Sequence, residues 1–456
     1  MSLRQDKKPA LQTLRVLLGD DASGIVDLRQ YPTDIRPVCS DDAHRQFSLP
    51  DLHGNVVLFV WILIKLGYVK LSKEKYDELV DLYLDHDPIV DLLKIFDVNA
   101  SESDSSDAEI KQKSEAEIDE EFDALLTKYR ASLEKFDNIL ESMEIVNLLL
   151  ILALIGDETA DRGRNDIFIA RLIKKLIKSG LKIKIFFSNH GAEFLFAVKF
   201  KKLGLSQASL ESTTETVQLP EDQFTRSLQN LGELVKLGLV DKDELTEFID
   251  QFYIPNLYLI DAVRDKSKDE SVTYFTHAPN IPTELEELHL KQLADYYQLP
   301  CDLQDRKSHP DVAKQINDKF REWLMTASED DVLAVLKDDE HIINKTIWSR
   351  DIQLPLAKEL ERLFFNFGHH EVPPEITKEN TNGTLVGTDG PTGKADLNKG
   401  VLAVSTTTFY STPAGKIALF STPVKDKASK PDAAESRRTK RMHNVLYKPA
   451  QPNFKE

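Results

Sequence analysis

The stretch Gly156-Asp157-Glu158-Thr159-Ala160-Asp161-Arg162-Gly163 decides the fold. It is entered from Val146–Ile155, an apolar run interrupted only by Asn147, which reads as a strand. It leads into Asp166–Lys178, whose apolar residues recur with helical period, and Gly180 caps that helix. Two other segments repeat the pattern. Gln46–Leu49 reads as a strand entering Asp51-Leu52-His53-Gly54-Asn55, and Val56–Leu66 follows as a buried helix closed by Gly67. Lys182–Phe187 alternates Lys and Ile before two Phe, as a strand entering Ser188-Asn189-His190 would. Residues 46–187 therefore read β-α-(insertion)-β-α-β, and their polar turns gather at the carboxyl ends of neighbouring strands, where open α/β sheets place their sites. An Asp-x-His, a second Asp and an Asn-His pair offer O and N donors that suit divalent metals. Two such metals roughly 3.5–4 Å apart are a device for hydrolysing phosphate esters.

The separation of Asp51 from Asp157 far exceeds the roughly 30 residues of a βαβ unit, so about Tyr68–Ser142 is a helical insertion. Within it, Lys73–Asp85, capped by Ser72, and Pro88–Phe96 have helical periodicity. Residues 101–121 are rich in Ser, Asp and Glu and read as a solvated, mobile loop. Glu120–Met143 then forms a long amphipathic helix with Phe122, Leu125, Leu126, Tyr129, Leu133 and Phe136 on one stripe. Downstream, 222–252 and 284–340 are helical in pattern. Thr273–Thr276 is a short β run ending at His277, and Leu363–Phe367 is a second, ending at Gly368-His369. Gly383–Val386 and Val401–Tyr410 read as strands that close a sheet. From about Val424 the chain turns Lys/Arg/Pro/Ser/Ala-rich and reads as a disordered basic tail.

Composition narrows the class. Of 456 residues 41% are hydrophobic, enough for a sizeable core, and the formal net charge is −18, which repels nucleic acid. Cys39 and Cys301 form no recognisable spacing and read as free thiols of a reducing compartment. No apolar run reaches the roughly 20 residues that span a bilayer. The amino terminus carries no apolar signal region, so a soluble protein made in a cytoplasm, without transmembrane segment, is expected.

The ordered set Asp51-x-His53-Gly54, Gly156-Asp157…Asp161-Arg162-Gly163, Asn189-His190, His277 and Gly368-His369 resembles the phosphoprotein phosphatase branch of the calcineurin-like metallophosphoesterases. The resemblance runs from about residue 46 to 410. Its spellings Gly-Asp-Glu-Thr-Ala-Asp-Arg-Gly-Arg-Asn-Asp, Ser-Asn-His and Thr-His-Ala-Pro are most similar to the Wip-type effector phosphatases of Legionella. The resemblance implies an α/β (α+β) fold, a calcineurin-like β-sandwich flanked by helices. Residues 1–67 and 143–423 would be the catalytic domain, 68–142 a helical hairpin insertion and 424–456 the tail. It implies two divalent metal ions, manganese foremost, with iron or zinc as alternatives. Asp51 and His53 would bind the first, Asp157 would bridge, and Asn189, His277 and His369 would bind the second. A hydroxide shared by both metals would attack a phosphomonoester. His190 would be the general acid, oriented by Asp161, while Arg162 and Arg350, the latter within Trp348-Ser349-Arg350-Asp351, would grip phosphate. The substrate would be a phosphorylated protein, a host protein if the chain is delivered into a eukaryotic host cell by a type IV system.

Departures from the pattern leave alternatives open. Pro50 stands where the family has Gly, the Asp157–Asp161 spacing is one residue longer, and Gly191 replaces the Glu that follows Asn-His. Glu193 is the nearest substitute for that Glu. A pseudo-phosphatase that binds phosphorylated partners is one alternative, and a hydrolase of small phosphorylated metabolites or dinucleoside polyphosphates is another. Asp20, the Asp85-His86-Asp87 cluster and His370 imitate ligands but read as structural.

Overall fold

Four short apolar strands lie parallel and adjacent: Gln46–Leu49 (β1), Ile151–Leu154 (β2), Lys182–Phe186 (β3) and Leu257–Tyr258 (β4). They belong to a computed structural model that describes residues 26–33, 35, 46–49, 51–85, 115–160, 166–201, 203, 223–265, 271–279 and 287–349. It also gives the backbone of strands at 363–367, 385–387, 403–404, 408–412 and 415–418. All these elements fall within the unit 1–420. A second sheet holds Asp261–Asp265 (β5), Ser271–Thr276 (β6), Leu363–Phe367 (β7) and Leu385–Gly387 (β8) in the order β8-β7-β6-β5. Thr408–Thr412 (β9) and Gly415–Ala418 (β10) extend the first sheet antiparallel beyond β1, giving β10-β9-β1-β2-β3-β4.

The two-residue period of the strands sorts their side chains into two layers. Leu152, Leu154, Ile183 and Ile185 join the main core with the helices. Ala153, Ile155 and Phe186 face the other way and meet Phe275 of β6, so the two sheets pack face to face as a sandwich. Lys184, on that same face, pairs with Asp261 of β5. The Lys/Ile alternation thus places isoleucines in one core and gives the half-buried lysine a partner in the second sheet.

Helices follow the parallel strands. Val56–Lys65 (α1) is almost wholly buried and follows β1, its first turn capped by Asn55, whose Oδ1 accepts from the Leu58 N–H at 2.9 Å. A helix apolar on every side is one enclosed on every side. Lys73–Asp85 (α2) and Glu115–Ser142 (α3) come next, and Val69–Lys70 pairs antiparallel with Glu144–Ile145 where the chain leaves and returns. Asp166–Lys178 (α4) follows β2 and packs on α3 through stacked Phe136 and Phe168 rings, 4.3 Å apart, and an Arg171–Asp137 ion pair. Asn189–Lys199 (α5) follows β3. Gln223–Lys236 (α6) precedes a π-helical turn at Phe248–Tyr253. Ile342–Trp348 (α7) is docked beside β6 by a bond from the Ala278 N–H to the Thr346 carbonyl, 3.1 Å. Among the described residues no helix is long and apolar enough to cross a membrane.

Two elements differ from the sequence expectation. The run Val146–Ile155 is not one strand: Glu144–Ile145 belongs to the ribbon and β2 begins at Ile151. Asn147 Oδ1 accepts from the Leu149 N–H at 3.1 Å, a local turn that breaks the extended backbone and leaves Leu148 and Leu149 exposed. The long acidic segment was expected to stay irregular through 121, but α3 begins at Glu115. Acidic residues are favoured in a first helical turn, where they face the positive end of the helix dipole. Residues 101–114, Pro88–Phe96 and 424–456 lie outside the described residues.

Candidate active site

Four of the five strand ends expected to carry site residues are described with their side chains. Asp51 and His53 follow β1 and are buried, with 0% and 2% exposure. Asp157 follows β2 through Gly156 and is 3% exposed. The His53 N–H donates to the Asp157 carbonyl at 2.7 Å, so the two turns are bonded directly to each other. Both residues have φ near +49°, a left-handed conformation that non-glycine residues adopt at a cost. Gly156 has φ +131°, and a Cβ on it would lie 2.3 Å from His277 Nδ1. Only glycine leaves His277 its place.

His277, fully buried at the end of β6, closes the site from the second sheet. Its Nδ1 lies 2.9 Å from the Ile155 carbonyl, which accepts only a hydrogen, so Nδ1 carries the proton. Nε2 then presents its lone pair to Asn189 Oδ1 at 2.9 Å and Asp157 Oδ1 at 3.5 Å. Three donor atoms from three strand ends thus converge around one point. Asn189 and His190 form the first turn of α5, whose N-cap is Ser188. The Ser188 hydroxyl accepts from the Gly191 N–H at 2.8 Å and from the Asp157 N–H at 3.0 Å. One oxygen therefore caps the helix and ties it to the Asp157 turn. His190 is 6% exposed, and its Nδ1 lies 3.2 Å from Glu193 Oε2.

A second buried carboxyl stands beside this group. Glu158 is fully enclosed and its Oε1 accepts from the Tyr253 hydroxyl. Burial pushes its carboxyl up to about 7, against the opposing effect of the Tyr253 bond. Burial, followed by the neighbouring Glu158 charge, holds the Tyr253 hydroxyl well above its ordinary range. The pair explains Gly191: a Cβ there would meet Tyr253 Oη at 2.6 Å and Ser188 Oγ at 2.9 Å. The space beside the helix start is taken by Tyr253 and Glu158.

Ala160, in the turn after Asp157, is left-handed with φ +56° and buried. Its N–H donates to Asp166 Oδ1 at 2.9 Å, and Asp166 Oδ2 accepts from the Ser227 hydroxyl of α6 at 2.9 Å. Ala160 and Asp166 are thereby bonded directly to each other. Asp161, Arg162, Arg350 and His369 lie outside the described residues, as do Pro50 and His370. Among the described residues no three His, Cys, Asp or Glu side chains form a metal-holding group by themselves. The converging trio includes an Asn, and the set expected from sequence needs His369 as well.

Residues 151–383, just over half of the chain, match the family model of the WipA-like phosphatase domain. The chain belongs to this family. No curated protein matches it. The crystal structure of the phosphatase domain from the Legionella effector WipB shares the fold, with a TM-score of 0.53 and 22% identity over 71% of this chain and 99% of that one. As a WipA-like phosphatase domain, the mixed α/β chain has the resemblance expected from its motifs. Glu158, Tyr253, Asp166 and Ser227 were not among the sequence candidates. Glu158 lies inside the deciding motif, but nothing in the sequence pairs it with Tyr253.

Proposed function

We propose that this WipA-like domain is a metal-dependent phosphoprotein phosphatase that hydrolyses phosphomonoesters directly with water. The observation that carries the reading is the convergence of His277 Nε2, Asn189 Oδ1 and Asp157 Oδ1, with Nδ1 of His277 already committed to a carbonyl. Lone pairs facing one another inside a buried site are relieved by a cation among them. The donors are oxygen and nitrogen without thiolate, which suits manganese, iron or zinc. Asp51, His53 and Asp157 would hold one ion, and Asp157, Asn189, His277 and His369 the other. When bound, the ions would supply an acidified water and neutralise phosphate charge.

The chain's own residues would do the rest. The amino end of α5 directs backbone N–H groups and the helix dipole toward the site, a setting that favours phosphate. His190, in that first turn, would hand a proton to the leaving oxygen, and Arg162 and Arg350 would orient the phosphate through their planar forks. The phosphorylated side chain would belong to a protein. Like the Legionella effector WipB, the protein would act as an effector within a host cell after synthesis in a bacterium.

The test is hydrolysis of aryl phosphates and phosphopeptides by the full chain, before and after chelation and with manganese restored. Activity should vanish on chelation and return with the metal, and Asp157→Asn should abolish it. Undiminished turnover in stripped protein would overturn the reading. A translocation reporter fused to the full chain tests the effector role, and absence of any host-cell signal would remove it.

A further inference from the structure

We propose that Glu193, rather than the Asp161 that the resemblance implies, is the positioning residue of His190, fixing which ring nitrogen faces the substrate. The inference rests on the phosphatase reading above. Glu193 Oε2 lies 3.2 Å from His190 Nδ1, one turn along α5, with side chains 17% and 8% exposed. Residues three apart on a helix share a face, so the contact is built into the element rather than into a loop. A carboxylate accepts and does not donate, so this contact keeps the hydrogen on Nδ1 and would assign proton exchange with the leaving oxygen to Nε2.

The surroundings explain why this carboxylate sits at 193. The position directly after His190 is Gly191, and a side chain there would strike Tyr253 Oη at 2.6 Å. That room belongs to the Tyr253–Glu158 pair. The helix itself is held in register by the Ser188 hydroxyl, which also binds the Asp157 N–H, so Glu193 orients a ring already fixed relative to the Asp157 turn. An orienting carboxylate on the same helix keeps that geometry whatever the adjacent loop does. Glu193 touches His190 and not the reacting atoms, so it is a positioning residue.

The test uses the full metal-loaded chain and aryl phosphates whose leaving groups span good to poor. Glu193→Ala should lower kcat for poor leaving groups by roughly 10–100-fold, leave KM unchanged and spare the most activated ester. Glu193→Asp should recover part of the loss. In a His190→Ala background Glu193→Ala should add nothing, a result that loss of folding would not give. An equal loss on every ester, a further loss in the His190→Ala background, or no loss at all would overturn the proposal. If His190→Ala is itself as active as the parent on every ester, the general-acid reading falls and this proposal with it. If His190→Ala is impaired while Glu193→Ala is silent, only the present proposal falls.

Discussion

The two halves of the site are built by different means. On one side, the turns carrying His53 and Asp157 are bonded main chain to main chain, and both residues sit at φ near +49°. On the other, Asn189 and His190 start an ordinary capped helix, and side-chain bonds from Ser188, Glu193 and His277 do the positioning. Left-handed residues of this kind cost on the order of 1–2 kcal/mol each and persist only where surrounding structure imposes them. The first half therefore stores strain in its backbone, while the second adjusts by rotating side chains. Substitutions should be felt accordingly.

The sharpest contrast is between the two glycines. Gly156→Ala adds a Cβ 2.3 Å from His277 Nδ1 at a residue with φ +131°, so it meets steric and conformational penalties together. A loss of more than about 3 kcal/mol in chemical denaturation is expected, with loss of activity. A cost below about 1 kcal/mol would show that the backbone half yields as readily as the other.

The next effect lies at the border of the two halves, in Glu158. Its carboxyl titrates at about 7 in the folded chain against 4.5 ordinarily, because it is buried. A group whose pKa rises on folding stabilises fully below its unfolded pKa and ceases to do so as pH rises through the folded value. Metal-stripped protein should thus lose about 3 kcal/mol of stability between pH 4.5 and 7.5. Glu158→Gln should flatten that dependence in urea melts, and an unchanged slope would assign it elsewhere.

Gly191→Ala should be milder, about 1–3 kcal/mol, because the obstacle is the tip of the Tyr253 side chain, 2.6 Å from the new Cβ, rather than main chain. In a Tyr253→Phe background the same substitution should cost less, since the obstructing oxygen is gone. Equal costs in both backgrounds would place the conflict at Ser188 instead. The smallest effect is expected at Asn55→Ala, which removes the α1 cap and should lower stability by about 1 kcal/mol in a thermal melt. A cost as large as that of Gly156→Ala would mean that the turn preceding α1 is as strained as the one beside it.

How far these features could be read from the sequence depended on how local they are. Asp166–Lys178 has the bounds that its periodicity implies, since packing on one face is written in the spacing of apolar residues, and Leu363–Phe367 has the bounds of its β-rich run. Val146–Ile155 misled because a continuous apolar run does not show the turn that Asn147 makes with its own neighbours. Asp51, His53, Asp157, Asn189, His190 and His277 were legible as strand-end polar residues. Glu193 was legible only as a substitute for the missing Glu; its contact with His190 needed the helix. The Tyr253–Glu158 bond joins residues 95 positions apart, and Ser227 reaches Asp166 across 61. Tyr253 also ends a π-helical turn, whose wider winding no propensity signals.

The small ribbon of Val69–Lys70 with Glu144–Ile145 has a consequence for how such chains diverge. The Val146 N–H donates to the Tyr68 carbonyl at 2.9 Å and the Tyr68 hydroxyl to the Ile151 carbonyl at 3.0 Å, so both strands of the ribbon are moored to the start of β2. Whatever lies between leaves and re-enters through one clasp. Doubling the length of a closed loop costs only about 0.6 kcal/mol in chain entropy. The chain between the two strands of the ribbon can therefore lengthen or shorten at little entropic cost without moving the register of β1 against β2, which sets the turns of Asp51 and Asp157 side by side.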